Sequence, residues 1–167
     1  MCLKENLTVW HQHFILTTLT TKDGIDTMFL TRECDYGVRV IRALSNGKKK
    51  TVEKICTEEL IPKKYAYKIV KKLETGGFLR SLRGRGGGYR LNMPLDAFSL
   101  YDIVLAIDAD RYINECLRED SACPFRADSK APCAIHAELN RIQSRLMEEF
   151  GAKTLAEILS IEVAAHV

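Results

Sequence analysis

The chain has 167 residues, 46% of them hydrophobic, and 25 Lys and Arg against 22 Asp and Glu leave a net charge of +3. That length permits one domain of ordinary size or two small ones sharing a core, which needs no disulfide staples. No stretch approaches the apolar length needed to cross a bilayer, and the N-terminus lacks the charged start, apolar run and small-residue cleavage site of a secretion signal, so the expected location is the cytoplasm.

In chain order, residues 1–27 carry Trp10, His11, His13 and a threonine-rich segment with no helical or strand period, which predicts a poorly ordered extension. Met28 opens the first well-patterned segment, so the extension fits translation from an upstream start codon. Thr31 is placed to cap a helix whose buried stripe is Tyr36, Val40, Ile41 and Leu44, ending near Asn46-Gly47. The lysine triplet Lys48-Lys49-Lys50 leads to a second helix, capped by Thr51, with Val52, Ile55 and Cys56 facing inward. Leu60-Ile61-Pro62 turns the chain into a third helix, with Pro62 at its permissive first position.

On that third helix Tyr65, Ala66, Ile69, Val70 and Leu73 recur at the 3.6-residue period, while Lys64, Lys68, Lys71 and Lys72 gather opposite them. Tyr67 projects with the lysines, a ring suited to bases or sugars among charges suited to phosphates. Gly76-Gly77 ends the helix with a left-handed cap. Phe78 to Arg83, the tip Gly84-Arg85-Gly86-Gly87-Gly88 and Tyr89-Arg90-Leu91 then follow as strand, flexible tip and returning strand. A loop so poor in side chains, with Arg83 and Arg85 flanking Gly84, can enter a narrow groove, where guanidinium groups are favoured. Taken singly, a lysine face is usually only solvated and a glycine run only a loose loop. A nucleotide-phosphate cradle would need a helix directly after the glycines, and a strand follows instead. The two parts adjoin in the order of a recognition helix and its wing, and together they favour double-stranded DNA as the partner. Charge agrees: residues 48–90 hold 13 Lys and Arg against 4 Asp and Glu, a local +9, whereas residues 91–167 hold 7 against 13, a local −6. Such asymmetry joins a polyanion-binding half to a half with another task. Residues 28–95 are thus expected to form a winged helix-turn-helix domain, and the fold class is mainly α with a small β-hairpin wing.

Beyond Pro94, Ser99 and Asp102 start a helix using Leu100, Ile103, Val104 and Ile107. Residues 111–132 have no sustained period, a loop length unusual in a small domain unless it is functional or disordered. The longest helix follows, from Cys133 to Phe150, with Ile135, Leu139, Ile142, Leu146 and Phe150 as its stripe. A helix this long in so small a protein often packs against another subunit, so the expected state is a homodimer. Thr154 and Glu157 form a capping box for a last short helix. Residues 96–167 make up the second expected unit, a loop with dimerisation helices.

Six cysteines would suggest disulfides in a secreted protein, but the cytoplasm keeps thiols reduced. Cys34 and Cys56 lie in helices, where a free cysteine serves as a small core residue, and Cys2 lies in the extension. Cys116, Cys123 and Cys133 concentrate in the irregular loop and at the mouth of the long helix, and His136 stands three residues beyond Cys133 on the same helix face. Three thiolates and an imidazole suit one metal centre, either tetrahedral zinc or an iron-sulfur cluster. No catalytic constellation accompanies them. A thiol enzyme would need an acid-base partner or an attacking pair such as Cys-x-x-Cys, and the chain has neither.

These residues resemble the family of winged-helix iron-sulfur transcriptional regulators typified by IscR and NsrR. The resemblance covers Met28 to about Leu159, and rests on Leu30-Thr31 with Asp35-Tyr36, on Tyr65 to Leu79, on the wing from Arg83 to Leu91 and on the cysteine trio. It implies a homodimer in which Arg83 enters the minor groove and Lys64, Tyr67 and Lys68 face the major groove. It further implies that Cys116, Cys123 and Cys133 ligate a 2Fe-2S or 4Fe-4S cluster. The fourth ligand differs between branches: the IscR-like pattern points to His136, the NsrR-like pattern to Asp35 of the partner subunit, although Arg39 one turn on gives Asp35 an ordinary ion-pair partner as well. The cysteine spacing is wider than in IscR, and some relatives of this fold lack clusters. The function so implied is a sequence-specific regulator, a repressor, whose DNA affinity is set by a cluster sensing redox, iron or nitric oxide status. The alternative is a winged-helix regulator with structural zinc or no metal that senses by cysteine oxidation.

Overall fold

The computed structural model describes residues 30–84, 86–109, 112–121, 123 and 132–165; the expectations for residues 1–27 and for Arg85 lie outside them. Three helices come first: α1 (Arg32–Leu44), α2 (Val52–Glu59) and α3 (Lys63–Thr75). Thr31 caps α1 by accepting from the Cys34 amide, and Thr51 caps α2 by accepting from Lys54. Each cap satisfies one amide that a helix start leaves without a partner. Pro62 is the N-cap of α3 rather than its first helical residue. Between α2 and α3 the chain turns at Leu60, which adopts a left-handed φ of 54° with its side chain exposed. Gly77, at φ 83°, closes α3 and lets the Phe78 amide reach the Leu73 carbonyl.

The hairpin pairs β1 (Leu79–Leu82) with β2 (Gly88–Leu91), antiparallel, with Leu79 opposite Leu91 and Arg80 opposite Arg90. A third segment lies along it. Lys50 exchanges both backbone hydrogen bonds with Tyr89, at 3.0 and 2.8 Å, an isolated bridge that ties the end of the lysine triplet to the wing. Gly88 makes this possible, because a Cβ there would lie 2.5 Å from the Lys50 carbonyl oxygen.

A 3-10 turn, Leu95–Ala97, leads to α4 (Leu100–Ile107), whose Ser99–Asp102 capping box is complete in both directions. A second 3-10 turn, Glu115–Leu117, precedes α5 (Ala134–Gly151) and α6 (Leu155–Ala165). The Thr154–Glu157 box also forms. The core is continuous from α1 to α6. Ile41, Leu44, Ile55, Ile69, Leu73, Ile103 and Leu155 are all fully buried in one cluster, and each contributes about 1.5–3 kcal/mol relative to exposure. Phe78 and Phe98 meet edge to face at 5.2 Å, and the Leu155 amide donates to the Phe98 carbonyl, which locks the start of α6 beneath the wing's base. The expected boundary at residues 95–96 therefore crosses a shared core. α5 departs from this pattern, for Gln143 is its one buried residue among those described. Among the described residues no helix is long and apolar enough to cross a membrane.

Candidate functional site

The DNA-facing candidate surface is built by α3 and the wing. Ala66, Ile69, Val70 and Leu73 bury one side of α3 against α1 and α2, so Lys64, Tyr67 and Lys68 are carried outward. The Tyr67 ring is 53% exposed, and its hydroxyl donates to Glu53 Oε1 at 2.5 Å. That hydrogen bond steadies the ring against α2 and holds the Glu53 carboxyl below its usual range. Lys64 lies with its ammonium 4.8 Å from the Tyr65 ring centroid. Arg83 and Gly84 are exposed at the wing tip, with Gly84 at φ 100°, and Arg83 has no ion-pair partner among the described residues. Arg85 lies outside the described residues.

The lysines of α3 are not equivalent. Lys68 Nζ is 2.6 Å from Glu33 Oε1 and remains exposed, but Lys72 is turned inward. Its ammonium bonds Glu33 Oε2 at 3.2 Å and donates to the Ile107 carbonyl at the end of α4. The expectation that Lys72 belongs to the open cationic face is thereby corrected: one ammonium ties together the start of α1, the end of α3 and the end of α4. Burial pushes the Glu33 carboxyl upward, but hydrogen bonds and charge from Lys68 and Lys72 outweigh it and leave the pKa lowered. The associated stability is present above the carboxyl's unfolded pKa and is lost as pH falls through the lowered folded value. Lys68→Ala is expected to reduce the salt slope of DNA binding by about one counterion. Lys72→Ala is expected to leave that slope unchanged and to lower stability by about 1 kcal/mol, a Tm loss of about 2–4 °C. A reduced slope for Lys72→Ala with an unaltered melt would reverse the assignment.

The cysteines separate by environment. Cys34 is fully buried and its sulfur accepts from the Thr31 hydroxyl at 3.3 Å. Burial raises the Cys56 thiol's pKa. Both are core residues. Cys116, Cys123 and Cys133 are half-buried. Cys116 lies in the 3-10 turn, its amide held by Asn114 Oδ1 at 3.0 Å, and Cys133 is the N-cap of α5, its sulfur accepting from the His136 amide at 3.5 Å. Among the described residues no group of three or more His, Cys, Asp or Glu side chains stands close enough to hold a metal ion, so the trio is not gathered on one point. Cys133 and His136 meet through the His136 backbone amide at the start of α5. His136 Nδ1 is buried and has no hydrogen-bond partner among the described residues, an arrangement that costs free energy unless a ligand completes it. A soft donor set with an orphaned imidazole nitrogen at the helix mouth fits a metal centre in its chemistry. Asp35, the other candidate ligand, is instead bridged to Arg39 at 3.0 Å on α1.

Sequence reasoning missed two parts of this surface. Glu53 orients Tyr67 from fourteen residues away, and Glu33 holds both lysines from more than thirty residues away. Neither spacing leaves a local pattern.

The family described as "Rrf2: Iron-dependent Transcriptional regulator" matches residues 30–161. The chain is 27% identical over 135 residues to protein aau3 of Rhizobium meliloti, covering 79% of this chain and 85% of that one. In fold it is similar to T. potens IscR, with a TM-score of 0.67 at 16% identity over 82% of this chain and 90% of the other. It is also similar to CymR, the global cysteine regulator of B. subtilis, with a TM-score of 0.60 at 21% identity over 78% and 95%. With a recognition helix, a glycine-tipped wing and a family match spanning nearly all the described residues, the chain belongs to the Rrf2 family of winged-helix transcriptional regulators, DNA-binding proteins rather than enzymes.

Proposed function

We propose that the protein is a homodimeric, sequence-specific repressor whose affinity for DNA is set by an iron-sulfur cluster held by Cys116, Cys123 and Cys133. The observation that carries this reading is the buried Nδ1 of His136, without a hydrogen-bond partner among the described residues, on the helix turn that Cys133 caps. It favours His136 over Asp35 as fourth ligand, since the Asp35 carboxylate already has Arg39. Such a cluster would supply a redox-active centre responsive to oxidant, iron supply or nitric oxide. The chain's own residues do the rest. Gln143, buried on α5, accepts from the Ile113 amide at 2.9 Å, so the start of the cysteine loop is pinned to the long helix. Ile107, just before that loop, is bonded through its carbonyl to Lys72 of the recognition helix. A change in loop order is thus placed to bias the pose of α3, and differential DNA affinity of the two loop states becomes the signal.

Anaerobic purification tests this reading. A brown, iron-containing protein whose promoter affinity changes when iron is removed is expected. A colourless, zinc-loaded protein would instead support structural zinc. A metal-free regulator sensing by cysteine oxidation is the second reading, and the free, half-buried thiols of Cys116, Cys123 and Cys133 are what supports it. In either case Arg83→Ala is expected to weaken promoter binding by about 1–3 kcal/mol if the guanidinium reads a groove. Equal affinity in a gel-shift assay would remove Arg83 from the interface.

A further inference from the structure

The lysine triplet is not used by the recognition helix or by the wing tip, and its members have different environments. Lys50 is committed: its ammonium meets Glu58 at 2.5 Å and its side chain is only 11% exposed. Lys48 and Lys49 are exposed, and neither has an ion-pair partner among the described residues. They are also held in place. The Lys48 amide donates to Asn46 Oδ1 at 3.0 Å, and Lys50 is hydrogen-bonded to Tyr89 on both sides, which fixes the pair between α1 and the wing. The Lys49 ammonium lies 4.0 Å from the point where a side chain on Gly86 would begin, so its charge stands over the glycine tip itself. The described glycines of the tip have no side chains to cover it.

We propose that Lys48 and Lys49 form a second phosphate clamp for duplex DNA, gripping the backbone beside the groove that the wing enters. The inference rests on the DNA-binding reading above and adds a site to it. Two ammonium groups without ion-pair partners among the described residues, on a segment tied down at Asn46 and Tyr89, contact phosphate as point charges, and they carry no information about base sequence. Their contribution is therefore to affinity and its salt dependence, equally on all duplexes. Arg83, in a groove, contributes to discrimination instead.

The test measures binding of the full-length protein to a promoter duplex and to a scrambled duplex over a range of salt concentrations. The double variant Lys48→Ala/Lys49→Ala is expected to reduce the slope of log K against log salt by about two on both duplexes, leaving the promoter preference unchanged. Lys48→Arg/Lys49→Arg is expected to restore the wild-type slope, and Lys153→Ala, on the turn between α5 and α6, to leave it untouched. An unchanged slope in the alanine variant, with wild type still binding the promoter, overturns the clamp and spares the DNA-binding reading. Loss of promoter preference in that variant overturns the sequence-independent role. Wild-type protein that binds neither duplex overturns the DNA-binding reading and the clamp together.

Discussion

Replacing Cys116, Cys123 or Cys133 with alanine is expected to abolish iron binding and the visible spectrum of anaerobically purified protein, whereas Cys34→Ala and Cys56→Ala leave both intact. Losing one thiolate exposes an iron position to solvent and oxygen, so each single substitution removes the whole centre rather than a third of it. The two core cysteines have no such role: Cys34 is sealed beneath Thr31, and the Cys56 thiol is held protonated by burial. Their replacement costs packing alone. His136→Ala and Asp35→Ala form a paired test of the fourth ligand. With Nδ1 orphaned and Asp35 bridged to Arg39, the spectrum is expected to shift and the cluster to become labile in His136→Ala. A shift in Asp35→Ala alone would move the site to the subunit interface, and a shift in neither would point to an external thiol or water. If all three loop cysteines can be replaced with iron content, spectrum and DNA affinity unchanged, sensing through a cluster is wrong and only the winged-helix regulator stands.

The features legible in the sequence are those whose partners lie within one helical turn. Thr31 with Cys34, Thr51 with Lys54, Ser99 with Asp102 and Thr154 with Glu157 each join positions three residues apart, so the starts of α1, α2, α4 and α6 follow from local chemistry. The hairpin is similarly local, because its glycines demand a tip between two short strands. Features closed by packing were not legible. Lys72 looks like one more surface lysine until α4 presents the Ile107 carbonyl to it. Leu60 takes a left-handed turn that glycine or asparagine would have advertised. The pairing of Lys50 with Tyr89 depends on Gly88 having no side chain, which only the folded neighbour explains. Cys116, Cys123 and Cys133 offer a donor set by residue type alone, but whether they meet is decided by tertiary packing, which leaves no periodic trace, and among the described residues they are not gathered.

Ile142→Glu is expected to convert the protein from a dimer to a monomer at micromolar concentration and to weaken promoter binding with it. α5 is eighteen residues long, and among the described residues its apolar stripe is only partly covered. Ile135 is 69% exposed and Ile142 42% exposed, while Leu139, Leu146 and Phe150 between them are only half-buried. A stripe of this kind over about four turns is the surface a second copy of the same helix would bury. In a two-fold arrangement each substitution acts twice, so losing two partly buried isoleucines and burying two carboxylates is expected to raise the dissociation constant at least about a hundredfold. Because Ile142 is already solvated in the protomer, the fold itself should tolerate the change, and an unaltered circular dichroism spectrum checks this. Two wings on one dimer would meet a pseudo-palindromic site, so the monomer is expected to retain only the weaker half-site affinity. Sedimentation showing that the wild type is itself a stable monomer at micromolar concentration, with and without DNA, would defeat the dimer, and Ile142→Glu that stays dimeric would move the interface off this helix.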